Sequence, residues 1–576
     1  MARNQKHGGS GGSPVAPINT SARYTAVSFS MPDSAATSPA SSRASSPMTP
    51  TFPGINGTMY EKSEANGHGN GNGPMDVYDA TLPPWRAAVR RKLVEMIKRE
   101  SVLLANMQDR IRSPALDAYF LHTSALGSHT FFMMFLPMLF FFGFPELGRG
   151  LIVVLTLGIY ITSVAKDLFC APRPFAPPVT RLTIGTHHLE YGMPSTHSTN
   201  CVSLALFFFA YIHELAFPAT PEPALISLSA YTGMTIGLTV YMVSIVFGRL
   251  YTAMHSFIDC AAGVAIGAFI WLAHTSFPGI PVSLPSSGFS TTLLRGWGWG
   301  AYLDEWVLQT PSSWKVPLTL IPLALLAVNQ HPQPVDDCPC FEDAIAVGSV
   351  MLGMFIGKWG AIRWDWGAHR ASVGLNAVMP GSGWALGSDG VWDVVPRTWG
   401  HVGTWWAVAA AKMTFGILSI FVWRLVAKAV FLRVLPPTFR IAARLMRLPR
   451  RRFYTPATDY AGSAPPLDKL RPIPSVIDLP SETGVEVGGI GSGSGIGIGV
   501  NGARGLRRRA EAVEAARNTV AVPGMALPEN EVDREKKHYD AEVLTKVIVY
   551  AGIAIIACEV MPVLFEMFGW GVRSWP

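Results

Sequence analysis

Two histidines stand beside long apolar runs in this sequence, and one of them has a carboxylate at helical spacing. His255 and Asp259 are four residues apart, so they share one face if the segment is helical. Asp259 could then accept the Nδ1–H of His255 and leave Nε2 with a free lone pair, which suits a nucleophile or a base. The same pair could instead cap or staple a helix end.

The second histidine, His197, follows residues that are typical of a helix start. Pro194, Ser195 and Thr196 favour an N-terminal turn, where free backbone amides and the positive end of the helix dipole face an incoming anion. His197 could then donate a proton to a leaving oxygen. Taken alone, this segment is also what an ordinary helix start looks like.

Three fixed cations, Lys166, Arg173 and Arg249, flank the two histidine segments. A transferring phosphoryl group needs its negative charge stabilised, and arginine offers a planar fork that matches two phosphate oxygens. Single cations at a membrane boundary are common, so each one alone has a simpler explanation. Together with the histidines they favour phosphoryl chemistry.

The elements that must position these residues are membrane helices. Of the 576 residues, 49% are hydrophobic and only 15% are charged, against about 25% charged in soluble domains. The composition therefore excludes an ordinary soluble enzyme and predicts an all-α, polytopic transmembrane bundle of about eight to ten spans. The apolar runs lie at about 129–145, 149–165, 199–217, 227–248, 258–277, 315–330, 404–432 and 543–569, with 342–357 ambiguous.

The spacing of these runs predicts that the chemical segments converge. From Lys166 and Arg173 the chain reaches Ser195 through a loop of about twenty residues, and two spans then return it to Arg249. All three segments therefore lie on one membrane face. One site could hold three cations, two histidines and one carboxylate.

The rest of the chain divides by composition. Residues 84–113 predict a basic amphipathic helix, which either lies on the membrane surface or packs on the protein. Low-complexity composition predicts disorder in the two polar segments. The predicted regions are 1–83 (disordered tail), 84–113, 114–277 (catalytic membrane core), 278–452 (further spans and loops), 453–540 (disordered Gly-rich insert) and 541–576 (C-terminal span).

Net charge and cysteine content narrow the function classes. The formal net charge is +7, but no basic–aromatic module is present, so nucleic-acid binding is not expected. The basic clusters 86–112 and 424–452 are typical of flanks that face anionic lipid. The six cysteines are scattered, so a disulfide framework is not expected, although Cys338 and Cys340 could be oxidised in a lumenal loop.

The three segments resemble the signature motifs of a known superfamily. They lie in KDLFCAPRPFAPPVTRL, EYGMPSTHS and GRLYTAMHSFIDCAAG, and they resemble the type 2 phosphatidic acid phosphatases. The surrounding residues look like the sphingosine-1-phosphate phosphatase branch, including its fungal long-chain-base phosphate phosphatases. The resemblance is good over 114–277 and loose over 315–570. Two positions depart from the wider pattern, Thr196 where many members have Gly and Gly248 where many have Ser.

The resemblance implies a site and a mechanism. His255 would attack phosphorus and form a phosphohistidine, Asp259 would orient His255, and His197 would protonate the leaving alkoxide. No metal or other cofactor is implied, and the expected partners are a lipid phosphate substrate and membrane lipids; the sequence predicts no oligomeric state. The phosphate-binding residues would be Lys166, Arg173, Ser195, Thr196 and Arg249.

The resemblance favours metal-independent hydrolysis of sphingoid base 1-phosphates. The alternatives are a phosphatase of phosphatidic acid or polyprenyl diphosphate, a non-catalytic lipid-binding or transport relative, and a haloperoxidase, which the apolar runs disfavour. The branch implies the endoplasmic reticulum membrane with a lumenal site. If 342–357 does not cross the membrane, the arginine-rich segment 433–452 falls on the opposite, cytosolic face. The basic segment 86–112 does not fit this scheme, because two runs before Lys166 place it on the face of the site.

Overall fold

The computed structural model describes residues 77–184, 190–218, 223–284, 289–336, 338–366, 378–386, 392–442, 485–487 and 541–571. Most of the predicted N-terminal tail (1–83) and almost all of the predicted Gly-rich insert (453–540) lie outside these residues. The region boundaries proposed from composition therefore stay predictions there.

Helices dominate the described residues, as the all-α prediction required. The apolar runs account for the long helices, because a helix satisfies every backbone hydrogen bond internally within a bilayer. In chain order the helices are α1 (Val77–Thr81), α2 (Pro84–Ile111), α3 (Pro114–Thr123), α4 (His129–Phe141), α5 (Pro145–Phe169), α6 (Thr196–Ala216), α7 (Leu228–Tyr251), α8 (Phe257–His274), α9 (Trp299–Gln309), α10 (Lys315–Gln330), α11 (Cys340–Arg363), α12 (Trp399–Ala442), α13 (Ala541–Ile555) and α14 (Met561–Met567).

Short connecting elements complete the described fold. A 3₁₀ turn, Ser124–Gly127, joins α3 to α4, and a π turn, Ile556–Val560, makes α13 and α14 one continuous helix. Three antiparallel strand pairs lie in the connections, β1 with β6, β2 with β3, and β4 with β5. The strands are β1 (Leu182–Ile184), β2 (Ile280–Leu284), β3 (Phe289–Leu293), β4 (Trp384–Leu386), β5 (Trp392–Val394) and β6 (Val485–Val487).

Among the described residues, seven helices are long and apolar enough to cross a membrane, and an eighth crossing arises if the bent pair α3–α4 counts as one span. This agrees with a multi-pass membrane protein at the lower end of the predicted count. The ambiguous run 342–357 is part of α11, a full-length candidate span of 24 residues. The run 315–330 is only the 16-residue helix α10, shorter than the ~20 residues that a span needs.

Helix α11 occupies the centre of the second half of the bundle. It packs against α5 on one side and α13 on the other, and α12 packs on the far side of α13. Buried apolar residues from these helices form the main core, including Phe141, Ile152, Met354, Trp359 and Phe565. By contrast, α7 exposes Ile236, Val240 and Val243 along its length, as expected for a helix that faces lipid.

Helix α12 runs antiparallel to the C-terminal helix. Lys412 donates to the carbonyl of Trp570 (2.8 Å), and Trp423 donates to the carbonyl of Val549 (3.0 Å). Its C-terminal end, with Arg433 and Arg440, therefore lies where α13 begins, and the ion pair of Lys546 with Glu342 places the start of α11 at the same end. The expectation that Arg433 and Arg440 lie opposite Lys166 is wrong, because it assumed that 342–357 does not cross, whereas this run is part of α11. The arginines at 444–452 lie outside the described residues.

Helix α2 lies across the end of the bundle that carries Lys166. Its buried stripe repeats at helical spacing and includes Leu93, Ile97 and Leu104, which pack against the loops that follow α5 and α7. The charged face of α2 points outward. Of the two placements considered from sequence, the described structure shows α2 packed on the protein. The buried residues of the stripe are Ala87, Arg90, Leu93, Ile97, Ser101, Leu104 and Gln108.

Candidate active site

Lys166 and Arg173 share one carboxylate, that of Glu190. Lys166 lies in the last turn of α5, and its Nζ is 2.8 Å from Oε2 of Glu190. Arg173, in the loop after α5, places Nη2 3.4 Å from the same oxygen and donates from Nε to the Glu190 carbonyl (3.0 Å). Both cations are almost completely buried. A carboxylate thus sits where two cations converge, which is how a phosphate oxygen would bind.

His255 lies in the loop between α7 and α8 with its two ring nitrogens in different environments. Nδ1 is 2.9 Å from the carbonyl oxygen of Gly192, which can only accept a hydrogen bond. Nε2 is 3.3 Å from Nη1 of Arg173, which can only donate one. These partners fix the tautomer with the proton on Nδ1. The lone pair of Nε2 therefore faces the cations, as a nucleophile for a bound phosphoryl group requires.

Asp259 does not make the hydrogen bond to Nδ1 that the spacing suggested. Its Oδ2 is 3.8 Å from Nδ1 of His255 and accepts instead from the backbone amide of Ser256 (2.8 Å). Ser256 reciprocates by accepting from the Asp259 amide, so the two residues form a capping box at the start of α8. Asp259 therefore holds the loop that carries His255, and the Gly192 carbonyl sets the tautomer.

The start of α6 joins the site through Ser195. Its amide donates to the carbonyl of Asp259 (3.0 Å), which ties the second motif to the third. Its hydroxyl, fully buried, accepts from the amide and hydroxyl of Ser198 and caps α6. Thr196 pairs its hydroxyl with that of Thr162 on α5 (3.1 Å). The side chain of Ser195 is thus engaged in capping, and the first-turn amides of α6 are the anion-binding groups this end offers.

His197 stands half-buried in the first turn of α6, beside the 3₁₀ turn that precedes α4. A Cβ added to Gly127 would lie 3.0 Å from Cδ2 of the His197 ring. The backbone of this turn therefore lies close to the imidazole. The ring of His197 thus lies at the junction of α3, α4 and α6.

Arg249 is the third cation, in the last turn of α7. Its side chain is buried, and its Nε has no hydrogen-bond partner among the described residues. Its carbonyl accepts from the amides of Met254 (3.1 Å) and His255 (3.3 Å), which positions the His255 loop. A buried guanidinium group with an unsatisfied donor is what an absent anion would leave behind.

Gly248, a departure from the wider superfamily pattern, has a packing explanation. A Cβ at this position would lie 3.1 Å from Cδ1 of Phe120 on α3, so a serine here would have to displace that ring. Close packing of α3 on α7 therefore favours glycine. The hydroxyl contact to phosphate that serine could supply is absent.

Helix α2 binds the backbone of the first and third motif segments, which sequence reasoning did not foresee. Arg86 donates to the carbonyls of Asp167 and Leu168 (2.7 and 2.6 Å). Ser101 accepts from the amide of Phe175 (3.0 Å), Glu100 accepts from the amide of Ile258 (3.2 Å), and Gln108 donates to the carbonyl of Tyr251 (2.8 Å). Three polar residues within the otherwise apolar buried stripe, Arg90, Ser101 and Gln108, were the available signal.

Metal-ligand atoms gather at one place among the described residues, behind Lys166. Asp167, Cys338 and Cys340 bring their ligand atoms within 4.8 Å of one another. The two sulfurs are joined in a disulfide, so this cluster does not offer thiolate ligands in the state described. The cations and histidines of the candidate site themselves form a site for an anion.

Comparison with known proteins agrees with this geometry. The family model described as PAP2 superfamily matches residues 147–279, which include all three motif segments. In the crystal structure of Aquifex aeolicus LpxE, 90% of the chain aligns with 29% of this one at 21% identity. The TM-score of that alignment is 0.22, too low to support an argument.

Curated relatives extend well beyond the matched region. A dihydrosphingosine 1-phosphate phosphatase of Saccharomyces cerevisiae is 32% identical over 342 residues, which cover 57% of this chain and 74% of the relative. A dihydrosphingosine 1-phosphate phosphatase of Schizosaccharomyces pombe is 28% identical over 357 residues, 62% of this chain and 72% of the relative. The chain therefore belongs to the sphingosine-1-phosphate phosphatase family of the PAP2 superfamily, and it is a lipid phosphate phosphatase of the membrane.

Proposed function

We propose that the protein hydrolyses sphingoid base 1-phosphates through a phosphohistidine on His255, without a metal ion. The observation that carries the proposal is the position of Nε2 of His255, which faces Arg173 beside a carboxylate that bridges two buried cations. The names of the relatives from both yeasts support this substrate class.

In the first step Lys166, Arg173 and Arg249 hold the phosphoryl oxygens and stabilise the charge that spreads over them. The Nε2 lone pair of His255 attacks phosphorus while the bond from phosphorus to the lipid oxygen breaks. Nδ1–H donates to the Gly192 carbonyl and so stabilises the positive charge that develops on the ring. His197 gives its proton to the leaving oxygen, and the sphingoid base departs as a neutral alcohol at that position.

In the second step water attacks phosphorus and the bond between phosphorus and nitrogen breaks. His197, now neutral, accepts the proton that the water loses, because the group that served as acid is left as a base. Free phosphate leaves, and His255 returns to its starting tautomer. The residues of this chain thus account for both proton transfers.

Assay of the purified protein on a panel of lipid phosphates tests the proposal. We expect sphingoid base 1-phosphates to be hydrolysed with a higher kcat/KM than phosphatidic acid or a polyprenyl diphosphate, and activity to persist with a metal chelator. A higher kcat/KM on phosphatidic acid or the diphosphate would replace the proposed substrate. Loss of activity with chelator, restored by added metal, would refute the metal-independent route.

We place the protein in the endoplasmic reticulum membrane with its site toward the lumen, as the family resemblance implies. The charge distribution does not favour this orientation, since α2 and the C-terminal end of α12, with Arg433 and Arg440, lie at the same end as the site. Both adjoin polar segments longer than about 60 residues, for which the positive-inside rule is weak. A glycosylation sequon engineered beside Asp79 should acquire a glycan, and a matched sequon beside Arg295 should not; the reverse result would place the site in the cytosol.

Replacing Glu190 by glutamine should tighten the binding of anions. Glu190 bridges Lys166 and Arg173, so its removal leaves one negative charge fewer beside the incoming phosphate. Removing a negative charge about 5 Å from the bound anion in a partly screened site should change the binding constant of that anion about tenfold. We expect the inhibition constants of phosphate and vanadate to fall by about that factor. Glu146→Gln, at the opposite end of α5, is the matched control, and weaker inhibition of Glu190→Gln would contradict the prediction.

The pH dependence should reveal the environment of His255. Burial, followed by the charges of Arg173, Lys166 and Arg249, holds the pKa of His255 well below its ordinary value of 6.5, while Glu190 raises it. The neutral ring is the nucleophile, and a ring with a lowered pKa becomes protonated only below pH 6.5. We therefore expect kcat/KM to fall only below that pH.

Comparison with Glu190→Gln removes the ionisation of the substrate from this measurement, since that ionisation is common to both proteins. Removal of Glu190 should lower the pKa of His255 further and move the acid limb of kcat/KM to lower pH. A limb that moves to higher pH in the variant would contradict the assigned role of His255.

A further inference from the structure

A partly open apolar cavity of about 120 Å³ lies between α4, α5, α11, α12 and the C-terminal helix. Its walls are aliphatic and aromatic side chains, and the hydroxyl of Thr156 at its edge donates to the carbonyl of Val347. An apolar cavity without free polar partners does not hold ordered water and takes an apolar occupant. An engineered cavity of about 150 Å³ binds benzene, so this one accommodates a short stretch of hydrocarbon.

Two of the lining helices lead directly to the reaction site. Gly127, which contacts His197, precedes α4 by two residues, and Phe132 on α4 lines the cavity. On α5, Thr162 contacts Thr196 in the first turn of α6, and Ile159, three residues earlier, lines the cavity. The cavity and the reaction site therefore share two helices, α4 and α5.

Three of the lining helices contribute residues at one common depth within the cavity. Ile159 lies seven residues from Lys166 on α5, Val350 lies eight residues from Glu342 on α11, and Ile553 lies seven residues from Lys546 on α13; Lys546 and Glu342 form an ion pair at the site end. Seven or eight residues of helix correspond to about 10–12 Å. One leaflet of a bilayer core is about 15 Å thick, so the cavity lies where the distal part of a lipid chain reaches.

We propose that this cavity binds the distal part of the sphingoid alkyl chain and so sets the chain-length preference of the enzyme. The inference rests on the proposed function, because it takes a sphingoid base phosphate as the substrate. With the phosphate at Lys166 and Arg173, a long chain enters between α4 and α5 and ends against α11 and α13. A short chain ends before it reaches the cavity.

Filling the cavity tests the proposal. Val350→Phe and Ala554→Phe each add a ring at a lining position. We expect kcat/KM for a sphingoid base 1-phosphate with an 18-carbon base to fall about tenfold relative to that for a 12-carbon analogue, mainly through KM. Val422→Phe is the matched control, because Val422 lies on α12 with 52% of its surface exposed toward lipid, and it should leave the ratio unchanged.

A variant that enlarges the cavity gives the opposite expectation and guards against misfolding of the filled variants. Phe132→Ala lengthens the space at its α4 wall and should raise the relative kcat/KM for a base longer than 18 carbons. An equal effect on long and short substrates in variants that keep short-chain activity would overturn the inference and leave the proposed function intact. A wild-type protein inactive on every sphingoid base phosphate would overturn both.

Discussion

Replacing His255 by alanine should lower the rate of phosphate release by about four orders of magnitude or more, because the nucleophile is lost and water has no equivalent route. The ring is buried and fixed from both sides by Gly192 and Arg173, so no neighbouring side chain can take its place. Phosphate release from a sphingoid base 1-phosphate by the purified variant is the measurement. Activity within 100-fold of wild type would remove the proposed mechanism.

The choice of substrate separates the two histidines. In His197→Ala, release of the first product in a single turnover should be much less impaired for 4-nitrophenyl phosphate than for the lipid, since nitrophenolate leaves without protonation. His255→Ala should lose activity on both, because it removes the attack itself. His122→Ala, at an exposed position on α3, is the control for histidine loss and should behave as wild type on both substrates. If His197→Ala and His255→Ala were impaired on the lipid and on 4-nitrophenyl phosphate in the same proportion, the assigned roles would be refuted.

Replacing Gly192 by alanine should lower kcat by about 100-fold. A Cβ at this position would lie 2.7 Å from the carbonyl oxygen of Pro172 and 3.2 Å from both the Cα of Arg173 and Oδ2 of Asp259. Two of these atoms belong to the backbone, so the Gly192 carbonyl must move away from His255. A displacement of about 1 Å at a reacting group is enough for a loss of this size.

Gly237→Ala provides the control for Gly192→Ala, because no atom lies within 4 Å of a Cβ built at Gly237 on α7. It adds the same methyl group in open space and should leave kcat unchanged. We expect the lost activity of Gly192→Ala to appear in kcat, since the three cations still bind phosphate. Wild-type kcat in a folded Gly192→Ala protein would show that the Gly192 carbonyl does not position the nucleophile.

The convergence of the three motif segments could be predicted from the sequence, because apolar runs of membrane length fix which ends of the helices share a face. The structure indeed brings Arg173 to His255 and Ser195 to Asp259. The partner of the histidine could not be predicted. Helical spacing put Asp259 within reach of Nδ1 of His255. The carbonyl oxygen of Gly192, distant in sequence, lies nearer to Nδ1 (2.9 Å) than Oδ2 of Asp259 does (3.8 Å).

Contacts made by backbone and loops escaped prediction for the same reason. Glu190 precedes the second motif by a few residues and carries no spacing signal, yet it pairs with Lys166 and Arg173 because the loop folds back over α5. The backbone at Gly127 lies close to His197 because glycine has no side chain, and no pattern of residue types reveals such a contact. The run 342–357 was ambiguous because it is rich in glycine, and close packing of α11 against α13 is what requires small residues there. A Cβ at Gly353 would lie 2.1 Å from the carbonyl oxygen of Ala551.

The polar stripe of α2 has a consequence for how small a working enzyme can be. The PAP2 match begins at residue 147, but Arg86, Ser101 and Gln108 supply hydrogen bonds that hold the backbone of the first and third motif loops. A fragment trimmed to the matched region would keep every reacting side chain. It would lose the helix whose hydrogen bonds hold the loops that carry those side chains in position. Domain transplants and minimal versions of this enzyme should therefore start before Pro84.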